Sequence, residues 1–160
     1  MGGSPLLQKV SPPPPQNPPL PLQRLLTLLN PLSPFFSVRV FAEFQKLVPD
    51  ARLLWLGAGE LDEPVRELAK ELEIADKCLF MGSVGDVEKW YSAMDILLFP
   101  SKMEGLGMVA VEAQTSGLFC FASDGVDSSS NISDNIKYVS LKKNANDWAK
   151  IIQNTNFRRK

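Results

Sequence analysis

The apolar positions of this chain fall into two kinds of pattern from Ser37 onward, and they alternate. Val38, Phe41, Ala42, Phe44 and Val48 recur at helical spacing, and Pro49-Asp50 ends that helix. Ala51-Arg-Leu-Leu-Trp-Leu-Gly57 is a short apolar run that predicts a strand. Leu61 to Ile74 returns to helical spacing, with Asp62 and Glu63 in the first turn, where acids suit the helix dipole, and Pro64 tolerated there. Lys77 to Met81 predicts a strand, and Val87 to Met94 a helix with Asp86 as N-cap and Trp90, Tyr91 and Met94 facing the core. Asp95 to Phe99, Leu118 to Ser123 and Ile136 to Leu141 predict strands; Met108 to Ser116 and Asn146 to Ile152 predict helices. Strands that read as continuous apolar runs, alternating with helices, describe an α/β fold with a parallel sheet covered on both faces. The loops at 57–60, 82–85, 101–107 and 124–130 then share the carboxyl edge, where such sheets bind ligands.

Residues 1–36 lack this alternation. Pro12 to Pro15 and Pro18-Pro-Leu-Pro21 fix φ and remove donors, which predicts polyproline II or disorder. Arg24 stands one position late for an SH3-type ligand built on Pro18 and Pro21. Leu22 to Leu29 predicts a short helix stopped near Asn30-Pro31. The expected division is 1–36, a Pro-rich disordered stretch or misread start, and 37–160, one folded domain.

Composition narrows the function. A chain of 160 residues with 44% hydrophobic content can bury a single core. A formal net charge of -1 offers no nucleic-acid surface. There is no apolar run of membrane-spanning length, and no basic start followed by an apolar core as in a signal peptide, so a cytoplasmic location is expected. Cys78 and Cys120 each fall in an expected strand and read as core thiols rather than as a disulfide or metal pair. The chain has no His, so a His base or ligand would have to come from elsewhere.

The chemistry concentrates in Ser101-Lys-Met-Glu-Gly-Leu-Gly-Met-Val-Ala-Val-Glu-Ala-Gln-Thr-Ser-Gly117. A helix that opens at a glycine turn aims unpaired N–H groups and its positive end at one spot. Glycine lets a ligand come close to that backbone, and a phosphate or diphosphate suits it. Glu104 in the loop and Glu112 in the helix are poor phosphate ligands but good acceptors for hydroxyls. Gly117 stands where a left-handed C-cap is wanted. A nucleotide-sugar, with a sugar on one side of its phosphates and a ribose on the other, fits this set. Gly57-Ala-Gly59-Glu60 lacks the third glycine of a dinucleotide fingerprint and reads as a loop on the same edge. Taken singly, Glu104 also reads as a solvated loop acid, Glu112 as a helix-surface acid, and Gly105 and Gly107 as plain turn residues.

Pro100-Ser-x-x-Glu104-Gly-x-Gly-x-x-x-x-Glu112-Ala resembles the donor-binding signature of retaining GT-B glycosyltransferases, in particular the glycosyl transferase group 1 family and its capsule and exopolysaccharide members. Leu53 to Glu60, Phe80 to Val87, Ala122-Ser-Asp124 and Trp148-Ala149 extend the similarity over roughly 37–152. The resemblance implies a Rossmann-like parallel sheet with helices on both faces, the C-terminal half of a GT-B fold. It implies that Glu104, the catalytic-position acid, accepts hydrogen bonds from the donor sugar. Gly105, Leu106, Gly107, Met108 and Val109 would offer backbone N–H groups to sugar and diphosphate. Glu112 would hold the ribose diol, and Gly82, Ser83 and Val84 would pack on the base. The implied reaction moves a sugar from a nucleoside diphosphate, UDP by family habit, to a glycan or lipid-linked acceptor with retention, without metal or cofactor. Stabilising the leaving diphosphate is its main electrostatic task.

Two parts of the family pattern are not found. No N-terminal acceptor domain precedes the motif, and Asn30 to Ser37 carries no Arg or Lys where the family has its diphosphate cations. The chain therefore reads as a fragment or a truncated start that is inactive alone, with an N-terminal domain possible in trans. The other classes open are a non-catalytic α/β module for a phosphorylated ligand or a partner chain and, more remotely, a sugar-nucleotide epimerase.

Overall fold

The computed structural model describes the backbone of 25–29, and residues 34–102 and 107–157. Six strands form one sheet in the order β3-β2-β1-β4-β5-β6, parallel throughout. The strands are β1 (Leu25–Leu29), β2 (Arg52–Leu56), β3 (Cys78–Phe80), β4 (Ile96–Phe99), β5 (Phe119–Ser123) and β6 (Ile136–Val139). The helices are α1 (Pro34–Leu47), α2 (Asp62–Glu71), α3 (Val87–Ser92), α4 (Met108–Thr115) and α5 (Ala145–Asn154). The expected α/β class and parallel sheet are what the chain forms.

One element differs from expectation. Leu25–Leu29, anticipated as part of a short helix, is strand β1 and lies in the middle of the sheet. Its register sets Leu26 opposite Leu53 on one side and Ile96 on the other. A continuous apolar run carries no period that separates helix from strand, and here the two neighbouring strands decide. β1 also falls inside the 1–36 stretch set apart from the domain, so the sheet reaches back at least to Leu25. The proline runs at 12–15 and 18–21 lie outside the described residues.

The pleat sorts the core into two halves, because successive strand residues point to opposite faces. Leu53, Trp55, Ile96, Leu98, Phe119 and Phe121 meet α1, α2 and α5 through Phe41, Phe44, Val65 and Trp148. Leu54, Leu56, Leu97, Phe99, Cys120 and Ala122 meet α3 and α4 through Trp90, Tyr91, Met94, Ala110 and Ala113. Cys78 and Cys120 fall on different faces and are free buried thiols. Burial pushes each thiol up to about 12.

Strand order reverses between β1 and β4: β1 leads outward to β2 and β3, β4 outward to β5 and β6. The crevice at the carboxyl ends of those two strands is the switch point, the usual ligand site in such sheets. The loop after β4 is the one that carries the acidic-glycine motif.

Candidate functional site

The second half of that loop delivers α4 to the crevice. Gly107 is its N-cap, with φ 65, a conformation that costs glycine nothing. Among the described residues no side chain caps the helix, and its first turn holds no acid. Ala110 and Val111 both donate backbone N–H groups to the Gly107 carbonyl, at 2.9 and 3.2 Å. Helix geometry leaves the amides of Met108 and Val109 without intrahelical acceptors. Met108 is 54% exposed, so this end of the helix is open to the edge; Val109 is half-buried. At its other end α4 closes as anticipated on Gly117, φ 79, with Gly117 N–H donating to Gln114 O at 2.9 Å and Leu118 N–H to Ala113 O at 3.0 Å.

The loop's first half is held from β5. The Ser123 hydroxyl donates to the Ser101 carbonyl. Gly125 fits under the same backbone: a Cβ there would run into the Lys102 carbonyl. A Cβ on Gly107 would lie 2.9 Å from Val126 Cγ1. Gln114, 4% exposed, ties α4 to the segment after β5. Its Nε2 donates to Ala110 O at 3.0 Å and Ser130 O at 2.7 Å, while its Oε1 accepts from Ile132 N–H at 3.3 Å and Ser133 Oγ at 3.1 Å. Ser130 Oγ in turn shares a 2.7 Å hydrogen bond with the Tyr138 hydroxyl. Ser101 Oγ is buried at the end of β4 and has no hydrogen-bond partner among the described residues.

The structure brings only some of the sequence-predicted residues together. Gly107, Met108, Val109 and Glu112 share α4 or its cap. Glu112 is exposed, and its Oε2 lies 3.5 Å from the Tyr91 hydroxyl of α3. Glu104, Gly105 and Leu106 lie outside the described residues. Gly82, Ser83 and Val84 follow β3, three strand steps from β4, or roughly 14 Å along the edge at ~4.8 Å per step. Gly82, φ 68, accepts a 2.8 Å hydrogen bond from Gly57 N–H, so the loops after β2 and β3 are joined. Ser83 is exposed, and Val84 packs on the α3–α4 half of the core. Asp86 does begin α3, but not as a capping side chain: its φ is 49, and its carboxylate pairs with Lys89 Nζ at 2.8 Å. That pairing holds the Asp86 carboxyl below the usual carboxylate range.

Tyr91, Ser101, Gln114, Ser123 and Gly125 were not singled out as site residues from the sequence. Their partners are on other elements, and nothing local marks them. Among the described residues, no group of three or more His, Cys, Asp or Glu is arranged to hold a metal, and no helix is long and apolar enough to cross a membrane.

Residues 34–155 match the family Glycosyl transferases group 1. The chain belongs to that family. An uncharacterized glycosyltransferase of Haemophilus influenzae is 36% identical over 83 residues, covering 52% of this chain and 24% of the relative. The glycosyltransferase EpsF of Bacillus subtilis, whose own assignment is provisional, is 31% identical over 91 residues, 57% of this chain and 24% of that protein. The chain thus aligns with about a quarter of these relatives. The C-terminal domain of a glycosyl transferase group 1 protein (LpcC) from Francisella tularensis superposes with a TM-score of 0.68 at 20% identity, over 82% of this chain and 73% of that one. Anabaena HepE in complex with UDP and glucose gives a TM-score of 0.68 at 20% identity, over 82% and 38%. This group 1 chain therefore has the fold of a C-terminal GT-B domain.

Proposed function

We propose that this group 1 domain is the donor-binding half of a retaining glycosyltransferase, taking a nucleoside-diphosphate sugar at the carboxyl ends of β1 and β4. The observation that carries the proposal is the placement of α4. Its glycine-capped, acid-free N-terminus opens at the switch point, with Glu112 one turn further in. Such a helix end suits a diphosphate, and the carboxylate suits a ribose diol. The 82–85 loop, several strands away, lies at a distance suited to the base of an extended ligand. Glu104 is proposed as the acceptor for the donor sugar's hydroxyls, with Gly105 and Leu106 beside it. HepE binds UDP and glucose, which favours UDP as the diphosphate here. A relative of Salmonella typhi, 31% identical over 86 residues, is named as a Vi polysaccharide biosynthesis protein, which favours a capsule or exopolysaccharide acceptor. Transfer needs an acceptor-binding half as well, and the role proposed for this domain is to hold the donor.

The test is calorimetric titration of the full chain with UDP, GDP and UDP-sugars, with Glu112→Ala in parallel. Saturable binding of one nucleotide, weakened at least tenfold or so by the substitution, is expected, since a hydrogen bond to a charged group is worth ~1.5–3 kcal/mol. A folded sample that takes up none of these ligands would sink the proposal.

A further inference from the structure

We infer that Tyr91 is the residue that positions Glu112, so that α3 sets the ribose contact made by α4. The inference rests on the reading of Glu112 as the acceptor for the ribose diol.

The two side chains are differently held. Tyr91 is 1% exposed, and its ring is wedged beside Trp90, Met94 and Cys120 in the α3–α4 half of the core. Its hydroxyl therefore has a fixed place. Glu112 stands on the exposed side of α4, a flexible acid whose rotamer freedom is lost when it binds anything. The hydroxyl of Tyr91 reaches Glu112 Oε2 at 3.5 Å. That is long for an O–H···O bond, as polar contacts in ligand-free sites often are. Burial first, and the Glu112 charge second, push the phenol well above its ordinary range. The phenol thus keeps its proton at neutral pH and serves as donor, never as a competing anion. With Oε2 engaged by Tyr91, Oε1 is the oxygen that serves the ligand. An acid anchored in advance gives up less freedom on binding than a loose one.

The position of α3 adds a second consequence. It begins just after Gly82–Val84 and packs on α4. One helix thereby links the loop proposed for the base with the carboxylate proposed for the ribose, and fixes the spacing between them.

The experiment is a binding comparison on the full chain. UDP and 2′,3′-dideoxyuridine diphosphate are titrated into wild type, Tyr91→Phe, Glu112→Gln and the double variant. Thermal melts confirm that phenylalanine, which keeps the ring, leaves the fold intact. Wild type is expected to prefer UDP by about tenfold or more, the worth of at least one charge-assisted hydrogen bond. Tyr91→Phe is expected to weaken UDP about fivefold while changing the dideoxy ligand less than about twofold, and to add nothing in the Glu112→Gln background. A merely structural role for Tyr91 would weaken both ligands alike, and that result overturns the inference. So does undiminished discrimination in Tyr91→Phe while Glu112→Gln loses it, an outcome that leaves the ribose role of Glu112 standing. Wild type that binds both ligands equally, or neither, overturns the ribose role and this inference together.

Discussion

The two faces of the sheet are built from different materials. The face under α1, α2 and α5 is filled by large rings: Phe41, Phe44, Trp55, Phe121 and Trp148, each no more than 1% exposed. Its polar atoms are few; Trp148 Nε1 donates to Ser140 O at 3.0 Å at the rim. The face under α3 and α4 sets the rings of Trp90, Tyr91 and Phe99 beside smaller groups, Ala110, Ala113, Cys120 and Ala122, and polar links from Gln114, Ser130 and Tyr138 border it. Apolar packing places rings by shape alone and specifies no donor or acceptor. Hydrogen bonds fix direction and distance, and on this side they tie α4 to the segment after β5. One face supplies stability; the other spends part of its stability on geometry.

The comparison can be broken most severely at Phe44. Phe44→Ala removes a fully buried ring from the apolar face, and a loss of ~3–5 kcal/mol is expected by urea unfolding. If the faces divide as described, the molecules that stay folded bind nucleotide as wild type does. A proportionate loss of affinity would show that the faces are not independent.

Gln114→Leu strikes the polar face. It leaves the Ser130 carbonyl and the Ile132 amide without their present partner, for an expected loss of about 2–3 kcal/mol, and it should weaken nucleotide binding as well. Gly125→Ala is the sharper probe. Its Cβ would overlap the Lys102 carbonyl, which must move, so about 2 kcal/mol of stability is at risk. The displaced backbone is the loop that leads to α4, and affinity is expected to fall more steeply than stability. Equal effects on both would place the loop outside the site.

The cysteines report on the two faces at smaller cost. Both thiols are pushed up to about 12, so the reactive thiolate is scarce at pH 8 in each and grows as pH rises toward that value. Cys78 is 9% exposed and borders a cavity of about 330 Å³ with Arg66 and Phe80, whereas Cys120 is sealed. Mass spectrometry after a maleimide pulse should find Cys78 labelled first, and both labelled quickly only in denaturant. The smallest effect is expected at Glu43, on α1, where Lys46 and then Asn146 of α5 hold the carboxyl below its ordinary value. A depressed folded value means that the contribution is present above the unfolded carboxylate range near pH 4.5 and fades as pH falls through the folded one. Glu43→Gln should therefore narrow the melting-temperature gap to wild type on acidification, not on alkalinisation.

Local signals were legible in the sequence. Gly117 was anticipated as a left-handed cap because a helix end leaves its mark within two residues. The strand–loop–helix around Gly107 was legible for the same reason, since glycine spacing and helix formers are short-range features. β1 was not: Leu25–Leu29 has no helix or strand period, and its state depends on Leu53 and Ile96. Asp86 has the right chemistry for a cap, yet Lys89 takes its carboxylate once the backbone enters the left-handed region. Gln114 and Tyr91 were missed because their meaning comes from Ser130 and Glu112, on other elements. The sequence pattern thus located the candidate helix but not the side chains that hold it.

The central place of β1 has a bearing on how the molecule assembles. β1, α1 and β2 can gather early, and so can β4, α4 and β5, because each set is contiguous. The seam between them joins Leu26 to Ile96, and α1 to α5, pairs that lie far apart in sequence. Closing so long a loop is slow, which sets folding in milliseconds or longer rather than the microseconds of a helical bundle. The crevice proposed for the nucleotide opens on that same seam. A ligand that binds there would touch both halves of the sheet and clasp them together.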